Sequence, residues 1–230
     1  MTKVAVVTGA AGGIGAAIVG SLQRDGWRVA GLDLRPSPAD LDLVVDLADA
    51  DALRRALDTV AAELGSPTGL VNGAGLYQAV DLLQTTPEYV DAVLAVNVAA
   101  PIYLCRGLIK RCLDADQPAS IVNIASIVGH TGSDDPAYGA SKGALFSLTK
   151  GLAKAYGAAG IRVNAVAPGV IEPTPMAATI PEHRRRRHLD AIPEQRFGRP
   201  EEVAEAVAYL MSSRSAYING AILDVNGGLH

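Results

Sequence analysis

The chain has 230 residues, of which 49% are hydrophobic and 19% charged, and its net charge is −4 at pH 7. This composition supplies a large core, gives no reason to expect nucleic acid as a partner, and contains no apolar run that we expect to span a membrane. Cys105 and Cys112 fit neither a disulfide framework nor a metal spacing, so both are expected in a core or interface and no metal is expected. We expect a single domain over residues 1–230, without a signal peptide, in a soluble and cytoplasmic protein.

The chain begins with a strand, a glycine-rich turn, a helix and a second strand that ends in an acid. Residues 4–8 are apolar and largely β-branched, which is typical of a strand buried on both faces, and residues 9–15 form the turn. Residues 16–25 are predicted to be helical, and residues 29–32 form a strand that stops at Asp33. In such a unit the glycines let the backbone approach a pyrophosphate at the helix N-terminus. The predicted dinucleotide contacts are Gly9, Gly12, Gly13, Ile14, Gly15, Asp33 and Leu34.

Asp33 also predicts which dinucleotide is preferred. It lies 18 residues after Gly15, near the spacing of a carboxylate that hydrogen-bonds the hydroxyls of the adenosine ribose. A carboxylate at this position repels a ribose 2′-phosphate, and the glycine turn has no Lys or Arg to offset the repulsion. Arg35 is the one nearby cation that would favour the phosphate. We therefore expect NAD rather than NADP.

The rest of the chain continues the alternation of strands and helices. Further strands are predicted at residues 43–45, 69–71, 120–125, 161–167 and 222–225, and helices at 50–64, 89–113, 138–156 and from about 200 onward. This pattern predicts an α/β fold, a doubly wound parallel sheet of the Rossmann type with about seven strands and helices on both faces. The residues expected at one rim, because they end strands, are Thr8, Asp33, Asp46, Asn72, Ser126 and Pro168.

Tyr138 and Lys142 are a candidate acid–base pair. They are four residues apart in a predicted helix, so both side chains project from one face. An ammonium close to a phenol favours the phenolate, and we expect the pKa of Tyr138 to fall from about 10 toward the working pH. A phenol of this kind accepts a proton from an alcohol or returns one to a ketone. Ser126 follows the strand at 120–125 and is expected to polarise the same substrate oxygen.

Residues 175–197 are polar, bounded by prolines and weakly periodic, which is typical of a mobile lid over a substrate. Within this segment four consecutive arginines, residues 184–187, lie between His183 and His188. The arginines either recognise an anionic substrate or form a solvated helix face. Four consecutive residues cannot all lie on one side of a helix, so at most one or two could face a pocket, and we favour the solvated face.

The spacing Thr8-Gly-x-x-x-Gly-x-Gly15, together with Tyr138-x-x-x-Lys142, resembles the classical short-chain dehydrogenase/reductase family, and the resemblance covers essentially the whole chain. It implies an NAD(P)-dependent oxidoreductase that acts on CH–OH groups. Tyr138 is then the general acid/base, Ser126 steadies the substrate oxygen and Lys142 also holds the nicotinamide ribose. Asn97 is implied to kink its helix and to hold a water that links Lys142 to solvent; the other interpretation is a satisfied core amide.

The resemblance also implies further cofactor contacts and an assembly. Asp46 and Leu47 match the pair that contacts the adenine, although Asp46 would equally suit the N-cap of helix 50–64. Asn72 is expected to contact the cofactor and to brace the neighbouring strand. The other residues that match cofactor-binding turns of the family are Ala74, Gly75, Pro168, Gly169, Ile171 and Thr174, with Pro173 as an insertion before the threonine. A homotetramer is implied, built from the helices near 90–113 and 138–156 and the last strand.

The predicted substrate pocket is apolar to mixed and contains Val128, His130 and Val170 beside Ser126 and Tyr138. Such walls suit a cyclic or hydrophobic alcohol, so we favour an NAD-dependent alcohol or dihydrodiol dehydrogenase. An NADPH-dependent 3-oxoacyl-thioester reductase is the alternative, against which Asp33 counts. A non-catalytic dinucleotide-sensing protein is a third hypothesis, but it would not need to keep the serine, tyrosine and lysine together.

Overall fold

Seven apolar strands form one parallel sheet in the computed structural model, which describes residues 3–229. The strands are β1 (Lys3–Thr8), β2 (Trp27–Asp33), β3 (Leu41–Val44), β4 (Gly69–Asn72), β5 (Ala119–Ile124), β6 (Ile161–Pro168) and β7 (Ile222–Val225). Their order across the sheet is β3-β2-β1-β4-β5-β6-β7, so the winding direction reverses between β1 and β4. Ligands bind outside the carboxyl ends of strands at such a reversal. The predicted doubly wound sheet is confirmed.

Helices cover both faces of this sheet. They are α1 (Gly13–Arg24), α2 (Ala50–Glu63), α3 (Pro87–Leu94), α4 (Ala100–Asp114), α5 (Val128–Thr131), α6 (Pro136–Tyr156), α7 (Pro175–Ala178), α8 (Glu182–Ala191) and α9 (Pro200–Met211). Along β1, Val4 and Val6 pack with α2 and α4, whereas Ala5 and Val7 pack with α1 and α9. A continuous apolar strand therefore supplies two cores, and Cys105 and Cys112 both lie in the first of them.

α1 and α6 start earlier than the sequence predicts, and α2 starts where it is predicted to but has a different cap residue. α1 begins at Gly13, directly after the glycine turn. α6 begins at Pro136, because the Asp135 carboxylate accepts a hydrogen bond from the backbone of Tyr138 and caps the first turn. The cap of α2 is Asp49 and not Asp46, so the capping role suggested for Asp46 is wrong. Asp46 instead accepts a hydrogen bond from the Ala48 backbone at 2.9 Å.

A π-helical turn, Ala95–Ala99, joins α3 and α4 into one helical stretch, Pro87–Asp114. Within the described part of the chain this is the one helix long and apolar enough, by length and composition alone, to cross a membrane. The expectation that no apolar run is long enough to span a membrane is therefore wrong. The helix passes this test of composition because residues 92–105 contain no charged side chain. In the fold this stretch packs along the sheet, with Leu104 and Leu108 fully buried.

Candidate active site

A cavity of about 1170 Å³ opens at the carboxyl ends of the strands. Most of the predicted site residues line it, although they come from the ends of six strands, β1 to β6, the segments that follow them and helix α6. The predicted residues that line the cavity are Gly9, Gly12, Gly13, Ile14, Gly15, Asp33, Leu34, Asp46, Leu47, Ala74, Gly75, Ser126, Val128, Tyr138, Lys142, Pro168, Gly169, Val170, Ile171 and Thr174. Three predicted residues, Asn72, Asn97 and His130, do not line it.

The glycine turn, residues 9–15, leaves a backbone hollow, the glycine cradle, that side chains larger than hydrogen would fill. Gly9 has a positive φ of 70°, and a Cβ on Gly15 would lie 1.9 Å from the Gly9 carbonyl oxygen. α1 follows with Gly12 as its N-cap, no capping side chain and no acid in its first turn. The first backbone N–H groups of α1 are therefore not occupied by an acidic or capping side chain of the helix itself. This donor set, at a helix N-terminus that lines the cavity, fits a pyrophosphate.

Asp33 lies where β2 ends, beside the glycine turn. Its Oδ2 accepts a hydrogen bond from the Ala11 backbone at 3.0 Å, and its Oδ1 accepts one from the Arg35 backbone at 3.1 Å. These two bonds fix the carboxylate at the wall of the cavity, where a ribose next to the pyrophosphate would lie. Arg35 is exposed and also lines the cavity.

Asn72 lies beneath the cavity and not at its surface. Its Nδ2 donates to Asn123 Oδ1 on β5 at 2.8 Å, so the expected brace between neighbouring strands is present. The expected contact of Asn72 with the cofactor is not supported, because the residue is buried at the end of β4 and does not line the cavity. The chain passes into the cavity wall only at the next residue, Gly73.

Tyr138 is buried in the wall of the cavity, on the first turn of α6. Its hydroxyl lies 3.9 Å from Met176 Sδ, and its ring centroid lies 4.9 Å from that of Tyr77. Burial raises the pKa of Tyr138 to about 12, and a hydrogen bond with Ser126 acts in the opposite direction. Ser126 follows β5, so the strand end and the helix bring the two hydroxyls together.

Lys142 lies one turn further along α6. Its Nζ donates to the Ile124 carbonyl at 2.7 Å and lies 5.7 Å from the centroid of the Tyr138 ring. Burial lowers the pKa of Lys142 to about 8. The expectation that the lysine lowers the pKa of Tyr138 is therefore wrong for the ligand-free protein, because burial dominates and the ammonium is directed at a strand-end carbonyl.

Asn97 lies in the π-helical turn and is fully enclosed by protein. Its Oδ1 accepts from the Leu76 backbone at 2.7 Å, while its Nδ2 donates to Leu76 O at 3.1 Å and to Ser141 Oγ at 3.0 Å. A single amide thus ties the loop after β4 to α6, next to Lys142. The contacts are those of a satisfied core amide, and the water relay through Asn97 stays a prediction.

His130 is predicted to lie in the substrate pocket, but the structure places it elsewhere. Its ring packs on Phe146 at 4.4 Å between centroids, and its Nε2 lies 3.4 Å from Asp224 Oδ1. The loop between the serine and the tyrosine forms a short helix, α5, on which Val128 and Thr131 line the cavity. His130 lies between these two positions in the sequence, and its side chain is directed away from the cavity.

The lid segment supplies cavity residues that the sequence analysis missed. α7, α8 and the turn between them contribute Met176, Ile180, Arg184, Arg187 and His188 to the wall. The solvated-face interpretation of the arginine run is wrong for Arg184, whose side chain is largely covered, whereas Arg187 lines the cavity with a mostly exposed side chain. Arg184 and Arg187 are three residues apart, about one turn of helix, so they share one face of α8.

A dinucleotide cradle, an acid at the end of β2 and a buried serine–tyrosine pair at one rim of a doubly wound sheet define a class, the α/β oxidoreductases that use a nicotinamide dinucleotide. A family model described as enoyl-(acyl carrier protein) reductase matches residues 9–230. The chain is 35% identical over 241 residues to the 3-oxoacyl-(acyl-carrier-protein) reductase of Thermotoga maritima, covering 99% of this chain and 97% of that protein.

Solved structures agree with the sequence comparison. The fold is similar to a 4-hydroxyisoleucine dehydrogenase complexed with NADH, with a TM-score of 0.90, 30% identity and coverage of 99% and 98% of the two chains. It is also similar to a protein from Agrobacterium tumefaciens described as a 2-deoxy-D-gluconate 3-dehydrogenase with bound NADP, with a TM-score of 0.90, 32% identity and coverage of 99% and 96%. The chain belongs to the classical short-chain dehydrogenase/reductase family.

Proposed function

We propose that the protein is an NAD-dependent dehydrogenase that reversibly oxidises a secondary alcohol of the cyclic alcohol or dihydrodiol type to the ketone. One observation carries the proposal: Ser126, Tyr138 and Lys142 line the same cavity as the glycine cradle and Asp33. A cofactor held by the cradle extends along the rim toward the tyrosine, so one cavity holds both the dinucleotide and the substrate.

The cofactor supplies the acceptor for the hydride and, in its oxidised form, a positive charge at its nicotinamide ring. The chain supplies the proton chemistry. Tyr138 Oη removes the proton of the alcohol, and Ser126 Oγ donates a hydrogen bond to the same substrate oxygen as it becomes a carbonyl oxygen. Because burial raises the pKa of Tyr138 to about 12 even with the opposing Ser126 hydrogen bond, the positive charge of the oxidised cofactor is needed to favour the phenolate.

Lys142 holds the nicotinamide ribose and receives the proton that Tyr138 has removed from the alcohol. Its pKa near 8 lies close to the working pH, which suits a group that both takes up and releases a proton. Asn97 is a positioning residue that fixes the Leu76 backbone against α6 beside Lys142. The proposed relay water would lie between this amide and the ammonium.

The preference for NAD rests on the Asp33 carboxylate. Its two backbone hydrogen bonds fix a negative charge at the ribose position, where a 2′-phosphate would be repelled. The pocket beyond Tyr138 is lined by Val128, Val170 and Met176, which supports a substrate with an apolar body. Exposed apolar side chains on α4 (Ile102, Tyr103) support the further proposal of a homotetramer.

The alternative is an NADPH-dependent 3-oxoacyl-thioester reductase. The similarity to the Thermotoga reductase favours it. Asp33 and the absence of a cation within the turn at residues 9–15 oppose it. A non-catalytic dinucleotide sensor is disfavoured, because it would not need a serine, tyrosine and lysine on one cavity wall.

The test is a turnover screen of the purified protein. NAD and NADP are each offered with cyclic alcohols and cis-dihydrodiols, and NADH and NADPH are each offered with 3-oxoacyl thioesters, while absorbance of the reduced cofactor is followed. The proposal predicts reduction of NAD by at least one alcohol. Turnover confined to NADPH and thioesters would establish the alternative, and no turnover with any pair would contradict both.

A further inference from the structure

The side of the cavity that faces the lid carries more positive charge than the catalytic chemistry uses. Arg184 and Arg187 line the cavity from α8, and the Arg184 side chain is only 19% exposed. Arg184 Nε lies 3.6 Å from Asp134 Oδ2, and an Arg187 guanidinium nitrogen lies 2.6 Å from the same oxygen. Two guanidinium groups therefore share the Asp134 carboxylate. The adjacent Asp135 carboxylate is fully buried and is occupied by hydrogen bonds from Tyr89 Oη and the Tyr138 backbone, so it forms no ion pair with either arginine.

The neighbouring arginines do not share this arrangement. Arg185 pairs with Glu172 through both terminal guanidinium nitrogens, and Arg186 pairs with Glu182 one turn earlier in the helix. His188 adds no charge, because burial and the adjacent Arg187 lower its pKa. The excess charge on α8 is thus confined to the two arginines that face the cavity.

The positive charge of Arg184 lies close to Tyr138, the proposed general acid/base. The Tyr77 ring lies between the two regions, with its centroid 4.9 Å from that of Tyr138. Tyr77, Tyr138 and Arg184 all line this one cavity. Burial raises the pKa of Tyr77, and the charge and hydrogen bond of Arg184 oppose that rise. A substrate whose alcohol carbon lies at Tyr138 therefore extends past Tyr77 to Arg184.

We propose that Arg184, assisted by Arg187, binds a carboxylate of the substrate, so that the alcohol is a hydroxy acid with an apolar body. This rests on the proposed alcohol oxidation. A carboxylate supplies the single negative charge that the wall lacks, and it matches the paired donors of a guanidinium better than any neutral group does. Asp134 holds the two arginines in place when no substrate is bound.

The test begins with binding, which needs no turnover. The melting temperature of the NADH-loaded protein is measured with straight-chain carboxylates from butyrate to octanoate and with the matching primary amides. We expect the acids, and not the amides, to raise the melting temperature. Arg184→Gln should abolish that rise, Arg184→Lys should retain part of it, and Arg186→Gln, with its side chain 79% exposed and paired outward, should leave it unchanged.

Turnover gives the second measurement, with hydroxy acids compared with their methyl esters. Arg184→Gln should raise the KM of an acid by about tenfold or more and change that of its ester by less than about twofold. Equal binding of acids and amides by the unmodified protein, or equal losses for acid and ester in Arg184→Gln, would overturn the inference. If carboxylates bind through Arg184 but neither acids nor esters reduce NAD, the anion site stands and the proposed oxidation fails.

Discussion

The cavity has two walls that are stabilised by different kinds of interaction. The wall at the strand ends carries Ser126, Tyr138 and Lys142, all buried, and its polar groups are held by backbone carbonyls and packed helices. The lid wall is α8, which buries none of its residues and is held by ion pairs to Glu172 and Asp134. Packing therefore fixes the groups to which we assign the chemistry, while ion pairs hold the wall that we propose to bind the substrate.

Replacing the central residue of the packed wall should have the largest effect. Tyr138→Phe keeps the ring and removes the hydroxyl, whose contact with the protein outside the Ser126 hydrogen bond is a weak one to Met176. We expect kcat to fall by about 10³-fold while NADH binding and the melting temperature stay nearly unchanged. Stopped-flow turnover and a binding titration measure the two quantities. A variant that retains a tenth of the activity would show that another group moves the proton.

Ser126→Ala should have the next largest effect, a loss in kcat of about 10². It should also change the pH profile. The hydrogen bond from Ser126 lowers the pKa of Tyr138, so its loss raises that pKa, and alcohol oxidation, which needs the phenolate, then increases only at higher pH. The measurement is kcat against pH in both directions. A profile that keeps its midpoint while the rate falls would contradict the proposed contact.

Lys142→Met tests how strongly the packed wall desolvates its ammonium. The folded-state pKa is about 8, against 10.5 for the exposed side chain. Between these values the unfolded chain binds the proton and the folded chain does not, so the stability of the unmodified protein rises with pH across this window. Its stability relative to the variant should rise by on the order of 3 kcal/mol from pH 7.5 to 11. The contribution of Tyr138 is common to both proteins, and urea unfolding at a series of pH values gives the difference. A constant difference would show that the ammonium is solvated.

The lid wall should respond weakly to loss of one ion pair. Arg185→Gln removes the pair with Glu172, which joins α8 to the loop after β6, and the contact with the Phe197 ring at 4.9 Å. We expect global stability to change by less than about 1 kcal/mol and hydrogen exchange of residues 182–191 to become faster. Arg186→Gln is the matched control on the outer face. Unchanged exchange in Arg185→Gln would show that the pair does not hold the lid.

The two walls also differ in how well the sequence predicted them. Strand ends such as Asp33 and Ser126 follow from continuous β-branched runs, because burial on both faces dictates the pattern and parallel strands bring their carboxyl ends to one rim. Asp49 was missed as the cap of α2 because Asp46 and Asp49 are chemically equivalent in the sequence. Only the structure shows which of them adjoins the first turn.

Side-chain direction in short or polar segments was predicted poorly. His130 was assigned to the pocket because nothing in residues 127–136 indicated that α5 would direct it toward Phe146. The arginine run has no apolar stripe that could orient α8, so tertiary ion pairs with Asp134 and Glu172 decide which members face the cavity. Long-range contacts of this kind leave no local signal in a sequence.

The most direct test of the account is a fluorescence titration of the purified protein with NADH and with NADPH, repeated on Asp33→Ala. The account predicts that NADH binds at least about tenfold more tightly, a difference of about 1.4 kcal/mol, and that the mutation removes the preference. Tighter binding of NADPH would assign the ribose phosphate to Arg35 and make the thioester reductase the better proposal. Binding of neither cofactor would contradict the dinucleotide site on which the whole account rests.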